Sequence, residues 1–228
     1  MKTVGLIGGM SWESTVTYYQ IINETVKERL GGFHSAKILL YSVDFAEIEA
    51  YQASGEWDKS AQVLAQAAEN LEKAGADFIV ICTNTMHKVV PQMQERIHIP
   101  ILHIAQATAA ELLKQNIRRV ALLGTKYTMT QEFYKDKLVE AGIEVLIPDA
   151  DDVETVNGVI YNELCLGKIL PKSKQDYLNI MDKLAARGAE GVILGCTEIG
   201  LLIRQADTLL PVFDTTQIHA RQAALRAL

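Results

Sequence analysis

The hydrophobic positions of this chain form short continuous runs, each followed by a longer stretch with helical spacing of apolar residues. Apolar runs at 3–7, 37–43 and 78–82 precede amphipathic stretches near 14–30, 59–73 and 87–96. Continuous Val, Ile and Leu runs are typical of strands that are buried on both faces of a parallel sheet. The pattern therefore predicts repeated strand–helix–strand units, with helices covering both faces of the sheet.

The same pattern resumes after Pro100. Further apolar runs lie at 101–104, 119–123, 144–147, 191–195 and 210–213. The whole chain is therefore predicted to be an α/β protein with mostly parallel strands.

An internal repeat divides the chain into two similar halves. Segments that begin at Val4, Leu71 and Ile99 match later segments in the same order, at nearly constant offsets of 116, 113 and 111 residues. Repetition of this kind predicts two pseudo-symmetric α/β lobes, each with a mostly parallel sheet flanked by helices. We place the first lobe at residues 1–98 plus 213–228 and the second at residues 99–212.

The repeat makes Thr83 equivalent to Cys196, each at the end of a predicted strand. Open α/β sheets bind ligands beyond the carboxyl ends of their strands. Two lobes that face each other would place these side chains on opposite faces of a substrate, with the active site in the cleft between the lobes. Such an arrangement suits removal of a proton from one face and its return to the other.

Cys196 is a candidate catalytic thiol, because it lies in LGCTEIG between a strand and a predicted helix. A helix N-terminus lowers the pKa of a thiol and favours the thiolate, so Cys196 is expected to act as a base. Thr83 has a hydroxyl, a much weaker acid, so it would donate or relay a proton with help from neighbours or water. Cys82 and Cys165 are expected to be packing residues. His87 and His219 are candidates for supporting roles or for purely structural ones.

Composition excludes several classes of function. The 228 residues carry a formal net charge of −6, with no basic stripe of the kind that holds nucleic acid by its phosphates. Three cysteines without C-x-x-C spacing indicate free thiols, and neither a disulfide framework nor a zinc site is predicted. The start of the chain has no long apolar run, so we expect a cytoplasmic protein without membrane contact. Dinucleotide-binding and P-loop glycine motifs are missing.

Motifs spread over the whole chain resemble those of the aspartate/glutamate racemase family. They are GLIGGMSWEST from Gly5, YSVDF from Tyr41, CTNTMHK from Cys82, LLGTKYTM from Leu122, ELCLGKI from Glu163, LGCTEIGLL from Leu194 and PVFDTTQIHA from Pro211. The resemblance implies two α/β lobes, a homodimer, and racemisation of amino acids without pyridoxal phosphate, metal or any other cofactor. The family uses one cysteine from each lobe.

The second cysteine of that family falls on Cys196, whereas the first, which normally opens a C-N-T motif, falls on Thr83. A subgroup of the family carries threonine there and is described as preferring L-substrates, and this chain resembles that subgroup. The resemblance also implies a set of substrate-binding residues: Met10, Gln52, Asn84, Thr85, Thr125, Thr197 and Glu198.

These observations lead to one main hypothesis and two alternatives. The main one is a racemase of L-aspartate or L-glutamate that removes the Cα proton with Cys196 and returns a proton from the side of Thr83. A related cysteine-dependent isomerase or decarboxylase of small diacids is the second hypothesis. A non-catalytic sensor that binds an amino acid is the third.

Overall fold

The structure, a computed structural model, describes residues 1–228. The chain divides into two compact units, one formed by Met1–Ile104 with His219–Leu228 and the other by Ala105–Ile218. The sequence placed these boundaries about six residues earlier, at 98/99 and 212/213. Both boundaries of the structure fall at or within helices, so no linker-like composition marks them.

The first unit contains a three-stranded parallel sheet in the order β2-β1-β3. Its elements are β1 (Thr3–Gly8), α1 (Trp12–Leu30), β2 (Lys37–Ser42), α2 (Phe45–Ser54), α3 (Trp57–Lys73), β3 (Phe78–Ile81), a 3₁₀ turn (Thr85–Val89) and α4 (Val90–Gln94).

Successive side chains of the central strands enter two different cores. Val4 and Leu6 pack with α1 and with the C-terminal residues of the chain, whereas Ile7 packs with α3 on the other face. Side chains alternate along a strand, so a strand covered on both faces must be apolar at every position. This explains the continuous apolar runs and confirms the predicted α/β class.

The second unit contains a four-stranded parallel sheet in the order β5-β4-β6-β7. Its elements are α5 (Ile104–Lys114), β4 (Arg119–Gly124), α6 (Lys126–Thr130), α7 (Glu132–Glu140), β5 (Glu144–Leu146), α8 (Ala150–Asn162), α9 (Pro171–Ala186), β6 (Val192–Gly195), α10 (Ile199–Leu202), β7 (Val212–Asp214) and α11 (Thr215–Ala227), of which α5 and α11 cross the unit boundaries.

The internal repeat of the sequence corresponds to an equal strand register in the two units. Ile7 pairs with Ile81 in the first unit, and the repeat-related residues Leu123 and Leu194 pair in the second. The predicted strand at 101–104 is wrong as a strand, because only a single bridge from Ile101 forms before α5 begins.

No helix of the chain combines the length and the apolar character that crossing a bilayer requires.

Candidate functional site

In the first unit, the turn that follows β1 depends on glycine. Gly9 has φ 93°, and a Cβ atom there would lie 2.2 Å from the carbonyl oxygen of Val43. The Gly9 N–H donates to Oγ1 of Thr15 over 2.9 Å, which ties the turn to the first turns of α1. The predicted binding residue Met10 follows in this turn and is buried.

Thr83 follows β3 and is partly exposed, whereas its neighbour Cys82 is buried in the core, as expected. The Nδ1–H of His87 donates to the carbonyl oxygen of Thr83 over 2.9 Å. On the other side of the ring, Nε2 accepts the N–H of Ile104 over 3.1 Å. The two hydrogen bonds fix one neutral tautomer of His87 and hold the main chain at Thr83 in place.

His87 belongs to a buried histidine cluster that sequence reasoning recovered only in part. The hydroxyl of Tyr18 donates to Nδ1 of His219, and Nε2–H of His219 donates to the Leu102 carbonyl, both over 2.8 Å. The His103 ring lies 4.6 Å from that of His87, measured between centroids. Burial lowers the pKa of His87 well below its usual range and that of His219 to about 3, so both rings are neutral.

Other predicted binding residues gather at the same end of the first sheet. Asn84 and Thr85 are buried directly after Thr83. Gln52 on α2 is buried and donates through Nε2 to the sulfur of Met86 over 2.9 Å. Met86 shares a core cluster with Met10. The structure therefore places the predicted residues of the first unit around the carboxyl ends of β1 and β3.

In the second unit, β4 and β6 approach each other so closely at their ends that both carry glycine. A Cβ atom on Gly124 would lie 2.9 Å from the carbonyl oxygen of Gly195. Thr125 follows Gly124, is buried, and caps α6 by accepting the Thr128 N–H over 3.3 Å. Thr125 thus lies at the carboxyl end of β4, next to the end of the strand that precedes Cys196.

Cys196 is buried at the end of β6, and its thiol donates to Oε2 of Glu198 over 3.0 Å. The hydroxyl of Thr197 donates to the same oxygen over 2.6 Å. Burial raises the pKa of Cys196 well above the usual value, and the adjacent Glu198 carboxylate raises it further. The expected lowering of this pKa by a helix is therefore wrong: α10 has only four residues, and a carboxylate lies next to the thiol.

Two neighbours of Cys196 differ from expectation. Cys165 was expected to be a packing residue, but it is exposed in a 3₁₀ turn at Leu164–Leu166. Tyr177 was not predicted; it is buried, donates to the Val156 carbonyl over 2.9 Å, and has a pKa raised well above its usual value by burial and by the nearby Cys196. No motif marks Tyr177, because it lies in the middle of an ordinary amphipathic helix.

The second unit thus presents a thiol, a carboxylate that accepts a hydrogen bond from this thiol, and hydroxyl groups at strand ends. A thiol paired with an acceptor of this kind is suited to general acid–base chemistry. No cluster of three or more His, Cys, Asp or Glu side chains with the geometry of a metal site is present.

The sequence matches the Asp/Glu/Hydantoin racemase family over residues 7–223. The chain belongs to this family. Among solved structures, a candidate Asp/Glu racemase from Yersinia pestis is 55% identical, with a TM-score of 0.95 over 100% of this chain and 99% of that one. An aspartate racemase homologue from Pyrococcus horikoshii OT3 is 38% identical, with a TM-score of 0.87 and the same coverage.

More distant members of the racemase family also align along nearly the whole chain. The broad specificity amino-acid racemase RacX of Bacillus subtilis is 21% identical, covering 96% of this chain and 95% of its own length. The glutamate racemase of Aquifex pyrophilus shares the fold at 19% identity, with a TM-score of 0.64 over 97% of this chain and 82% of that one. Family membership and the α/β fold therefore agree with the sequence-based expectation.

Proposed function

We propose that this chain is an amino-acid racemase that inverts L-aspartate or L-glutamate at Cα without a cofactor. The observation that carries the proposal is the 3.0 Å contact between the Cys196 thiol and the Glu198 carboxylate. It supplies a sulfur base together with a group that can take the proton from that sulfur. The names of the family and of its members support a small amino-acid substrate.

The proposed reaction begins when the thiol proton of Cys196 passes to Oε2 of Glu198. The resulting thiolate removes the Cα proton of the L-substrate, and the electron pair of that C–H bond moves into the substrate carboxylate. Burial disfavours a thiolate beside a charged carboxylate. Because the thiol proton moves to Glu198, the pair keeps a net charge of −1 when the thiolate forms. The ammonium group of the substrate would favour the charged pair further.

Thr83 is the proposed donor on the opposite face of Cα. Its hydroxyl gives a proton to the planar intermediate and recovers one from water, and Glu198 releases to the resulting hydroxide the proton that it took from Cys196, which restores the starting state. Because a hydroxyl is a far weaker acid than a thiol, the two halves of the reaction are unequal. We therefore expect removal of the proton from L-substrate by Cys196 to be faster than the corresponding step on D-substrate at Thr83.

The developing charge on the substrate carboxylate requires preorganised donors. We assign this role to side chains and N–H groups at strand ends, and add Glu198 as a contact for the substrate ammonium. The proposed substrate-binding set is Met10, Gln52, Asn84, Thr85, Thr125, Thr197 and Glu198. We further propose a cytoplasmic homodimer that needs neither pyridoxal phosphate nor metal, as the family resemblance implies.

Exchange of the substrate Cα proton in deuterium oxide, followed by NMR, tests this function. The wild-type chain should exchange the Cα proton of L-aspartate or L-glutamate and form D-product. Cys196→Ala should abolish both, whereas Cys165→Ala, which removes an exposed thiol of the same unit, should leave both unchanged. Full exchange by Cys196→Ala would overturn the assignment of the base.

Treatment with a carbonyl reagent and with a chelator tests independence from cofactors. The rate should be unchanged after either treatment. Loss of activity after hydroxylamine, which removes pyridoxal phosphate, would contradict the cofactor-independent reaction. Tight substrate binding without any exchange would instead identify a sensor, and turnover of small diacids alone would identify a related lyase or isomerase.

A further inference from the structure

The main chain of Thr83 is held by the side chain of His87. Cys82, one residue beyond β3, still donates its N–H to the Ile7 carbonyl of β1 over 2.9 Å. Thr83 comes next, and its carbonyl oxygen accepts the Nδ1–H of His87 over 2.9 Å. Thr83 is therefore fixed by the sheet on its N-terminal side and by a single side chain on its C-terminal side.

A fixed main chain at Thr83 also restricts its hydroxyl. Rotation about the ψ angle of Thr83 would move its carbonyl oxygen away from His87, so the hydrogen bond restrains this angle. Threonine is branched at Cβ and has few allowed χ1 rotamers, which depend on the backbone angles. The hydrogen bond therefore restricts the position of Oγ1, although it is made to the carbonyl oxygen and not to the hydroxyl.

The ring of His87 is buried and is itself held by its neighbours. Its Nε2 accepts the N–H of Ile104 over 3.1 Å. The rings of His103 and His219 lie 4.6 Å and 5.6 Å away, measured between centroids. A ring fixed in this way does not follow the main chain of Thr83 when it moves, so it acts as a rigid support.

The equivalent position of the second unit has no such support. The internal repeat makes Gly200 equivalent to His87. A Cβ atom on Gly200 would lie 2.7 Å from Oδ2 of Asp214, so a side chain does not fit there without a shift. Cys196 is instead contacted through its sulfur, by Glu198. Support of the main chain by a histidine is therefore limited to the unit that carries the weaker acid.

We propose that His87 is a positioning residue for the proton donor Thr83, and that it governs inversion at Cα without governing removal of the L-proton by Cys196. This inference rests on the proposed function, since it assigns His87 to one half of that reaction. A hydroxyl is a weak acid, so its transfer of a proton requires a correct distance to Cα. A displacement of about 1 Å can cost about 100-fold in rate.

The fate of the planar intermediate measures the two halves of the reaction separately. In deuterium oxide, the thiolate of Cys196 takes the Cα proton, and the thiol so formed exchanges it for solvent deuterium. Return of deuterium to the same face gives deuterated L-substrate, whereas donation from Thr83 to the other face gives D-product. The initial ratio of D-product to deuterated L-substrate, measured by NMR and chiral chromatography, therefore reports the donor. Because an unfolded chain forms neither product, this ratio is independent of the fraction of chain that is folded.

Two substitutions separate the two hydrogen bonds of His87. The amide nitrogen of Asn lies where Nδ1 lies in His, so His87→Asn keeps a donor for the Thr83 carbonyl. The amide of the longer Gln lies where Nε2 lies, so His87→Gln keeps an acceptor for the Ile104 N–H and loses that donor. The ratio should fall at least about tenfold in His87→Gln and stay within about threefold of wild type in His87→Asn. Exchange of L-substrate should continue in both variants.

His219→Gln is the matched control, because it removes a buried ring of the same cluster that bonds to Tyr18 and Leu102 rather than to Thr83. It should keep the wild-type ratio. Nitrogen NMR of the wild-type chain gives a check that needs no variant, since the neutral ring of His87 should carry its proton on Nδ1.

Three results would overturn the role of His87 and leave the racemase assignment intact. They are equal ratios in His87→Asn and His87→Gln, a fall of the same size in His219→Gln, and a His87 ring with its proton on Nε2. A wild-type chain that neither exchanges the Cα proton nor forms D-product would overturn the proposed function, and the role of His87 with it.

Discussion

The thiol of Cys196 lies 3.0 Å from Oε2 of Glu198, so the proposed base is held as a protonated thiol beside the group that can deprotonate it. Thr197 donates to the same oxygen and keeps the carboxylate oriented toward the thiol. In the proposed reaction, the thiolate forms by transfer of the thiol proton to Glu198. Its reactivity should therefore depend on Glu198 more than on the short helix that follows.

Replacement of Glu198 by Gln removes the charge of this side chain and keeps nearly the same shape, so it tests the role of the charge alone. The pKa of Cys196 should fall, because burial still raises it but the carboxylate no longer does. Thiolate absorbance should accordingly appear at lower pH than in the wild type. The rate of Cα exchange should nevertheless fall about 100-fold, since the acceptor of the thiol proton is lost.

Thiolate absorbance should be measured in a Cys165→Ala background, which removes the exposed thiol. Cys82 does not interfere, because burial raises its pKa far above the working range. A Glu198→Gln variant with an unchanged thiol titration would show that Glu198 does not govern the charge of Cys196. An unchanged rate would show that another group accepts the proton.

Replacement of Thr83 by Cys should give the proposed proton donor the same chemistry as the proposed base. Cysteine is close to threonine in size, and its side chain ionises near pH 8.5, whereas a hydroxyl does not ionise at neutral pH. We expect the Cα exchange of D-substrate to rise about tenfold or more, while exchange of L-substrate at Cys196 changes little. Separate NMR measurements on the two enantiomers give both rates.

Thr83→Ser is the matched control, because it keeps the hydroxyl and changes only the methyl group. It should retain the wild-type preference for L-substrate. If Thr83→Cys and Thr83→Ser had the same effect on D-substrate, the ionisation of residue 83 would have no role in the reaction.

The strands could be predicted from sequence because central strands such as β1, β3, β4 and β6 are covered on both faces and must be apolar at every position. Helix α2 could not, since only Ile48 and Gln52 of its ten residues are buried and the apolar pattern is correspondingly weak. The predicted strand at 101–104 failed because an apolar segment alone does not show where the next helix begins.

In the candidate site, the features that depend on nearby sequence could be predicted, and those that depend on contacts between distant residues or on side-chain conformation could not. The apolar runs and the internal repeat sufficed to place Thr83 and Cys196 at strand ends. The pKa of Cys196 could not be predicted, because it depends on the rotamer that brings the Glu198 carboxylate back to the sulfur and on the length of α10. The histidine cluster brings His219 to His87 and His103, which lie more than a hundred positions earlier in the chain, so no local motif reveals it.

Stability should fall in mild acid because of this histidine cluster. The pKa of His219 is lowered to about 3 in the folded chain, from about 6.5 when unfolded, and that of His87 is also lowered well below 6.5. The unfolded chain therefore binds protons below pH 6.5 that the folded chain does not. The stability contributed by neutral burial is complete above pH 6.5 and is lost as the pH falls from 6.5 toward 3.

Urea unfolding between pH 7.5 and pH 5 measures this effect. Each ring should lower the free energy of unfolding by up to about 1.4 kcal/mol per pH unit below 6.5. His219→Gln should remove the contribution of one ring from the slope of the unfolding free energy against pH. Replacement of the exposed His34 by Gln should leave this slope unchanged. Carboxylates with lowered pKa, such as Glu72, change the free energy of unfolding only below about pH 4.5. A free energy that is constant from pH 7 to pH 5 would contradict the neutral assignment of both rings.

The turn after β1 should not tolerate a side chain at Gly9. With φ 93° and a Cβ position 2.2 Å from the Val43 carbonyl oxygen, Gly9→Ala must displace the turn that carries Met10. We expect a loss of about 3 kcal/mol or more in unfolding free energy, as for other overpacked and strained sites, and loss of Cα exchange.

Gly55→Ala is the matched control: its φ is 73°, but no atom lies within 4 Å of the added Cβ. It should cost only about 1–2 kcal/mol for the left-handed backbone and retain activity, so equal losses in the two variants would show that the contact with Val43 does not constrain the site.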